Sequence, residues 1–493
     1  MKRPRQALAL AVAAATLVAA ACSDPPTSGG DAARTDGEDD GDGEAGLPEC
    51  PLDALDEADG PVEVTLWYGG IGGPTEDTLE ALVADFNAGQ DRVELVASSQ
   101  GGSFAAVYRK FESAAAADTG QLPDIVMLES TELQSLADGG LVLPAEACMD
   151  AAGYEVTDIE PAVRAAFSID DVLYPGYMNV SSQVLYYNKA HWELAGLDPD
   201  ETPQTLDEVV EVARTLKERG VSERPLSFKA SHAVFVNWLS GEGVDVLDNG
   251  NGHDGLATEA TLDDPVAVEA LETLQQMNDE GLLNAFGNVE GSVDHFLALV
   301  TQQSSMLIET STASATIAQA VEGTITPAEA GIDFDASVIE RATLVPGTAP
   351  FPGLSRAGQV SAGGAGFFIV GTADPAEQAA SWAFLEFMLQ PENAQRWHVE
   401  GGYLPIVKSV KDEPGVQSFW QDDMAGVLLQ PAVDQLADAD PDQPGPLAGP
   451  YPDLVDGIQG AIEAVLFDGA DPAAALAAAQ DDVTESLERY AAD

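Results

Sequence analysis

The chain's 493 residues are too many for one ordinary hydrophobic core, so two lobes or domains are expected, and a hydrophobic share of 45% is that of a globular protein. Twenty Lys and Arg stand against 84 Asp and Glu, a formal net charge of −64. Such a surface repels nucleic acid and anionic lipid headgroups, which excludes both as partners; its plain reading is a solvated coat on a secreted protein rather than a tract that binds a partner.

Lys2, Arg3 and Arg5 are the only charges before Cys22, and a largely apolar run of 15 residues from Ala7 to Ala21 follows them. That run is short of the ~20 residues that span a bilayer, and the pattern reads as an export signal over residues 1–21. Ala19-Ala20-Ala21 lead directly into Cys22, which resembles the bacterial lipoprotein processing site, with Ala19 where Leu is usual. The resemblance implies lipid on Cys22, holding the protein on the outer face of the bacterial cell membrane; the alternative is an ordinary signal with an incidental Cys. Losing the signal leaves 17 − 84 = −67 charges. Residues 22–47 are rich in Asp, Glu, Gly, Ser, Thr and Pro and read as a flexible acidic tether. The remaining cysteines, Cys50 and Cys148, form an even pair in an oxidising compartment and are expected to bond, the alternative being two buried thiols.

Beyond the tether, strand and helix alternate. Val62, Val64 and Leu66 alternate in a strand ending at Trp67. Leu79, Leu82, Val83 and Phe86 follow at helical spacing, with Gly89 past the end. A strand over 93–96, a helix over about 104–117 and the continuously apolar Ile125-Val126-Met127-Leu128 come next, the last as expected of a central parallel strand. Thr131 is placed as the cap of a short helix stopping at Gly139-Gly140. This order predicts an α/β fold with a doubly wound, mostly parallel sheet. Val184-Leu185-Tyr186-Tyr187 opens a second set. Thr205 and Glu208 have capping-box spacing, with Leu206, Val209, Val210, Ala213 and Leu216 on one face and Gly220 at the close. Asp264-Pro265, Asp374-Pro375 and Asp471-Pro472 each open a helix with a cap and a first-turn proline.

Catalytic patterns are missing. His191, His232, His253, His295 and His398 offer no i, i+4 metal pair, and there is no serine elbow or P-loop. Gly363-Gly364-Ala365-Gly366 precedes an apolar strand, the wrong order for a dinucleotide site. The stretch 248–254 has His253 where a calcium loop needs Gly, and reads as a surface turn. No enzyme activity, cofactor or metal is expected. Trp67, Tyr68, Phe104, Trp238 and Tyr403 supply aromatic faces for sugar C–H surfaces, and Glu129 follows the central strand, where open α/β sheets hold ligands.

Several stretches resemble the extracellular solute-binding proteins of carbohydrate ABC importers. They are Val64-Thr65-Leu66-Trp67, Pro123-Asp124-Ile125-Val126 before Glu129, Leu185-Tyr186-Tyr187-Asn188-Lys189, Ala195-Gly196-Leu197-Asp198-Pro199, and Pro391-Glu392-Asn393-Ala394 through Trp397-His398 to Gly402-Tyr403-Leu404-Pro405. The nearest likeness is to members that bind sn-glycerol-3-phosphate, over about residues 62–490. The resemblance implies a type II periplasmic-binding-protein-like fold of two α/β lobes joined by several crossings. The N-terminal lobe would comprise 48–180 and 344–372, the C-terminal lobe 181–343 and 373–493. It further implies ligand capture by hinge closure in the cleft between lobes, and delivery by a monomer to the transmembrane subunits of an ABC permease.

Matched by position, the family's pocket falls on Phe104, Glu129, Ser181, Thr310, Gly364 and Tyr403. Three positions depart: Phe104 lacks a hydroxyl, Leu206 replaces a pocket tryptophan, and Val455 replaces the phosphate-holding arginine. The expected ligand is therefore a neutral sugar, oligosaccharide or polyol. Glycerol-3-phosphate or a glycerophosphodiester is the alternative, with Arg356 or another basic residue supplying the charge. Rival classes are a secreted hydrolase, which needs a nucleophile–base or carboxylate pair, and a surface adhesin, which needs an exposed apolar patch.

Overall fold

The computed structural model describes residues 47–117, 122–289, 292–323 and 344–492. The expected signal, Cys22 and nearly all of the tether lie outside the described residues. The strands are β1 Val62–Tyr68, β2 Val93–Ser99, β3 Ile125–Glu129, β4 Val142–Leu143, β5 Ser168–Ile169, β6 Val172–Leu173, β7 Tyr177–Ser181, β8 Gln183–Asn188, β9 Leu226–Lys229, β10 Leu283–Phe286, β11 Met306–Thr310, β12 Pro346–Pro350 and β13 Gly363–Val370. β5 and β6 pair as a hairpin; the others form two sheets.

The first sheet has the order β2-β1-β3-β13-β4, with β7 also on β13. β1 is parallel to β2 and β3, and β13 alone runs against its neighbours. Ile125 to Leu128 are fully buried, because helices cover both faces of this strand. The second sheet has the order β10-β9-β11-β8-β12; β9, β10 and β11 are parallel and β8 opposes both of its neighbours. Both sheets are thus mostly parallel. The chain passes from first to second at Ser181–Gln183 and returns between β12 and β13.

The helix openings form as their residues dictate. Ser103 accepts from the Ala106 N–H at the head of Phe104–Ala116, and Asp264 from Val266 ahead of Pro265–Asp279. Asp374 and Glu377 complete a capping box. At Thr205 the box is modified. Thr205 Oγ1 accepts from Glu208 N–H at 3.2 Å, but the Glu208 carboxylate takes the N–H of Gln204, one residue before the cap. Thr131 does not cap: Ser130–Glu132 form a 3₁₀ turn that runs straight into Leu133–Asp138. Gly363 to Gly366 lie inside β13 rather than ahead of it. Cys50 and Cys148 are joined by a disulfide.

The expected lobe boundaries need correction. β12, placed with the N-terminal lobe, hydrogen-bonds β8 in the second sheet, since its backbone has a partner only there. The helix Pro375–Leu389, placed with the C-terminal lobe, buries Phe384, Leu385 and Met388 in a core shared with β1, β3 and β13 of the first sheet. The chain returns to the second sheet with Met424–Ala437, which lies along β12 and β8 and whose Gln435 amide donates to the Gln183 carbonyl at 2.6 Å, and Tyr451–Asp468 then packs there through Leu454, Ile458 and Ile462. One face of each sheet contributes to a single apolar core: Val64, Met127 and Phe367 from the first, Val184, Tyr186 and Leu307 from the second.

Candidate functional site

A cleft of about 520 Å³ lies where the ends of several strands converge. The first sheet supplies Glu129 at the end of β3, Ser181 at the end of β7, and Gly363 to Ala365 at the start of β13, which runs the other way. Thr310 closes β11 of the second sheet. Phe104 begins its helix, and Tyr403 enters from a loop. His232 and Asn237 come from His232–Gly241, and Tyr451, Val455 and Asp456 from Tyr451–Asp468.

Close approach explains one residue. Gly364 has φ +145°, and a Cβ there would sit 1.9 Å from the carbonyl oxygen of Asn179 on β7. Only glycine lets β13 pass this close, so the cleft floor is bare backbone. Beside it, the Ala365 N–H donates to Asn179 Oδ1 at 2.8 Å.

Tyr403 is held from behind. Its ring stacks on Trp397 at 6.0 Å between centroids and 11° between planes. The Trp420 indole N–H donates to His398 Nε2 at 2.8 Å. An indole nitrogen only donates, so the His398 proton is on Nδ1 and is donated to the Tyr403 carbonyl at 2.6 Å. Burial, aided by Lys411, pushes His398 down to about 4, so it stays neutral in this role. Burial pushes the Tyr403 hydroxyl up to about 12; a hydrogen bond with Asn179 opposes this and Glu129 adds to it. Tyr403 therefore offers a neutral hydroxyl.

The charge in the cleft is acidic. Burial holds the Glu129 carboxyl above the usual carboxylate range. Burial, with Glu129 and Glu112 nearby, pushes Glu132 up to about 7 against the effect of a hydrogen bond with Tyr108. Glu132 is only 8% exposed and its Oε2 has no hydrogen-bond partner. His232 is pushed down to about 4 by burial and by Lys229, and its Nδ1 is unpartnered. Behind Thr310, burial alone would raise Glu309, yet the His295 ring at 2.6 Å and the Lys229 ammonium at 3.6 Å hold it at about 2. Its other oxygen accepts the Thr310 N–H at 2.8 Å, which fixes that end of β11. Among the described residues, no Lys or Arg lines the cleft.

Of the expected ligand residues, Phe104, Glu129, Ser181, Thr310, Gly364 and Tyr403 line this cleft, and Trp67, Tyr68 and Trp238 do not. Trp67 packs beside the helix Phe104–Ala116, with the Lys110 ammonium 4.0 Å from its ring centroid. Tyr68 is buried and its hydroxyl donates to Glu76 and Glu80 at 3.2 and 3.3 Å, so it belongs to the helix Pro74–Gly89. Trp238 is fully buried between Phe228 and Phe351, its N–H spent on the Pro352 carbonyl. Leu206 is a core residue and Arg356 is not in the lining, whereas Val455 is. His232, Asn237, Glu132, Tyr451 and Asp456 were not singled out as ligand-facing. Tyr451 follows a Pro- and Gly-rich stretch, 441–450, whose turn signals could have marked a crossing.

Three comparisons bear on this cleft. The family model for bacterial extracellular solute-binding protein matches residues 81–425. The sn-glycerol-3-phosphate-binding periplasmic protein of Escherichia coli (strain K12) is 24% identical over 380 residues, covering 75% of this chain and 80% of that protein. The cyclic alpha-maltosyl-1,6-maltose binding protein from Arthrobacter globiformis superposes with a TM-score of 0.67 at 24% identity, over 87% of this chain and 100% of that one. A protein from Mycobacterium tuberculosis solved in complex with glycerophosphocholine gives a TM-score of 0.66 at 20% identity, over 88% and 100%. At these identities the structural matches establish the fold, a two-lobed α/β architecture.

Proposed function

Since the chain belongs to the family of bacterial extracellular solute-binding proteins, and so binds solutes rather than transforming them, we propose that it is the capture component of an ABC importer for a neutral sugar, oligosaccharide or polyol. The observation that carries this reading is the lining itself: Glu129, Ser181, Thr310 and Tyr403 converge on one cleft between the two sheets, and among the described residues no Lys or Arg lines it. A carboxylate and neutral hydroxyls suit ligand hydroxyls, while a buried phosphate wants a charge-assisted partner such as Arg. Val455 stands in the lining where the glycerophosphate-binding members place that arginine, and Arg356 is not among the lining residues. Phe104 supplies an apolar face at the rim. Hinge closure of the lobes would hold the ligand for delivery to the transmembrane subunits, and lipid on Cys22 would keep the protein beside them.

Thermal unfolding with matched ligand panels tests the reading. A true ligand at about 100 times its Kd stabilises by roughly 2.7 kcal/mol, a melting shift of a few degrees for lobes of this size. Neutral mono- and oligosaccharides or polyols should include a stabiliser. A shift with glycerol-3-phosphate or glycerophosphodiesters and none with the neutral panel overturns it. For the anchor, Cys22→Ala should abolish detergent-phase partitioning of the exported protein, and unchanged partitioning removes that part of the reading.

A further inference from the structure

The cleft has more negative charge than neutral hydroxyl ligands require. Glu129, Glu132 and Asp456 line it and, among the described residues, no Lys or Arg does. Two imidazoles also line it. His232 is neutral, and His253 is already engaged through Nε2 with the Gly445 carbonyl at 2.9 Å. Glu132 is the informative residue. It is more than nine-tenths buried, it lines the cleft, and one of its carboxylate oxygens has no partner within the protein. A buried carboxylate oxygen without a donor is costly, and such groups are kept where a proton, a cation or a ligand donor completes them.

We propose that the cleft prefers an aminated member of its ligand class, an amino sugar or amino polyol, over the neutral counterpart, and that the unpartnered Glu132 oxygen is what distinguishes the two. The inference rests on the reading of this cleft as the capture site. A protonated amine presents three N–H donors and one positive charge, so it can complete Glu132 while also answering Glu129. A hydroxyl in the same place donates once and leaves the charge uncompensated. Charge-assisted hydrogen bonds are roughly twice as strong as neutral ones, which amounts to about a tenfold gain in affinity or more. The overall charge of −64 adds to the local preference, since it raises the concentration of cationic solutes at the cleft mouth.

The test is calorimetric titration at pH 7, where the amino sugars are protonated, of the full chain with matched pairs: glucose and glucosamine, galactose and galactosamine, sorbitol and glucamine. N-acetylglucosamine serves as the control that keeps the nitrogen and loses the charge. At least one amine should bind about tenfold or more tightly than its neutral partner, and its N-acetyl form should not. In Glu132→Gln, checked for native secondary structure by circular dichroism, the amine-to-neutral affinity ratio should fall towards one. Equal or tighter binding of the neutral partners overturns the inference and leaves the capture reading standing. An amine preference unchanged in Glu132→Gln overturns the role of Glu132. No binding by either kind overturns the inference and, with it, the capture of simple hexoses and hexitols.

Discussion

β1 and β3 lie side by side in one sheet, run parallel, and end at the same edge, yet only one of them reaches the cleft. β3 ends in Glu129, whose carboxyl faces the cavity; β1 ends in Trp67 and Tyr68, whose side chains are taken up by the flanking helices. The rule that ligands gather beyond the C-terminal strand ends of an open α/β sheet therefore names an edge, not a strand. What separates the two is the next segment. After β3 the chain makes a 3₁₀ turn along the cleft through Ser130 to Glu132, whereas after β1 it turns into Pro74–Gly89, whose Glu76 and Glu80 hold the Tyr68 hydroxyl.

Substitutions at the two ends should accordingly fail in different ways. Tyr68→Ala should give the largest effect, a loss of about 3–5 kcal/mol of folding stability in urea unfolding, because it empties a fully enclosed aromatic site. Ligand affinity per folded molecule should be unchanged. Ligand loss without destabilisation would place Tyr68 at the cleft after all. Glu129→Ala should do the reverse: affinity for the best ligand falls about 100-fold, near 2.7 kcal/mol, with little loss of stability, since its burial is already unfavourable to the charged form. Retained affinity in that variant would remove β3 from the site.

Much of the architecture was legible because local signals coincided. Asp264-Pro265, Asp374-Pro375 and Asp471-Pro472 each open a helix where cap chemistry and fixed proline φ agree. The lobe to which a helix returns was not legible. Pro375–Leu389 is apolar nearly all round and Tyr451–Asp468 is apolar along one face, and nothing local in either says that Phe384 packs on the first sheet and Ile458 on the second. The cleft was legible at Phe104, Glu129 and Tyr403 from aromatic character and strand-end position, and at Ser181, Thr310 and Gly364 only through family likeness. Trp238 misled because an aromatic suited to a sugar face is equally suited to a core, and here Phe228 and Phe351 enclose it. Glu132 was missed because a glutamate at the head of a short helix reads as an N-terminal charge favoured by the helix dipole. Its hydrogen bond with Tyr108 reaches the helix Phe104–Ala116, more than twenty residues earlier in the chain.

Glu132 also gives the smallest of these effects and the one that sharpens the contrast most, since it extends the β3 side of the cleft. Its ordinary value of 4.5 is raised to about 7 by burial and by Glu129 and Glu112, with the Tyr108 hydrogen bond partly opposing. The sign follows from proton counting. Below the unfolded value Glu132 is protonated in both states and costs nothing. As pH rises towards 7, the unfolded chain has already released a proton that the folded protein still holds, so stability declines across that window and levels off above it. Glutamine keeps the shape and an acceptor for Tyr108 but has no proton to lose. Glu132→Gln should therefore be more stable than the parent at pH 8, and most of that advantage should vanish by pH 5, a change on the order of 2 kcal/mol in unliganded protein. Urea unfolding at the two pH values reads it directly, and pH 5 stays clear of the isoelectric region near 4.1. An equal difference at both pH values would mean that Glu132 is charged throughout and that its orphan oxygen already has a partner. A cationic ligand should shrink the pH 8 advantage, because it stabilises the charged parent more than the glutamine variant, and no corresponding substitution at the β1 end should respond to ligand at all.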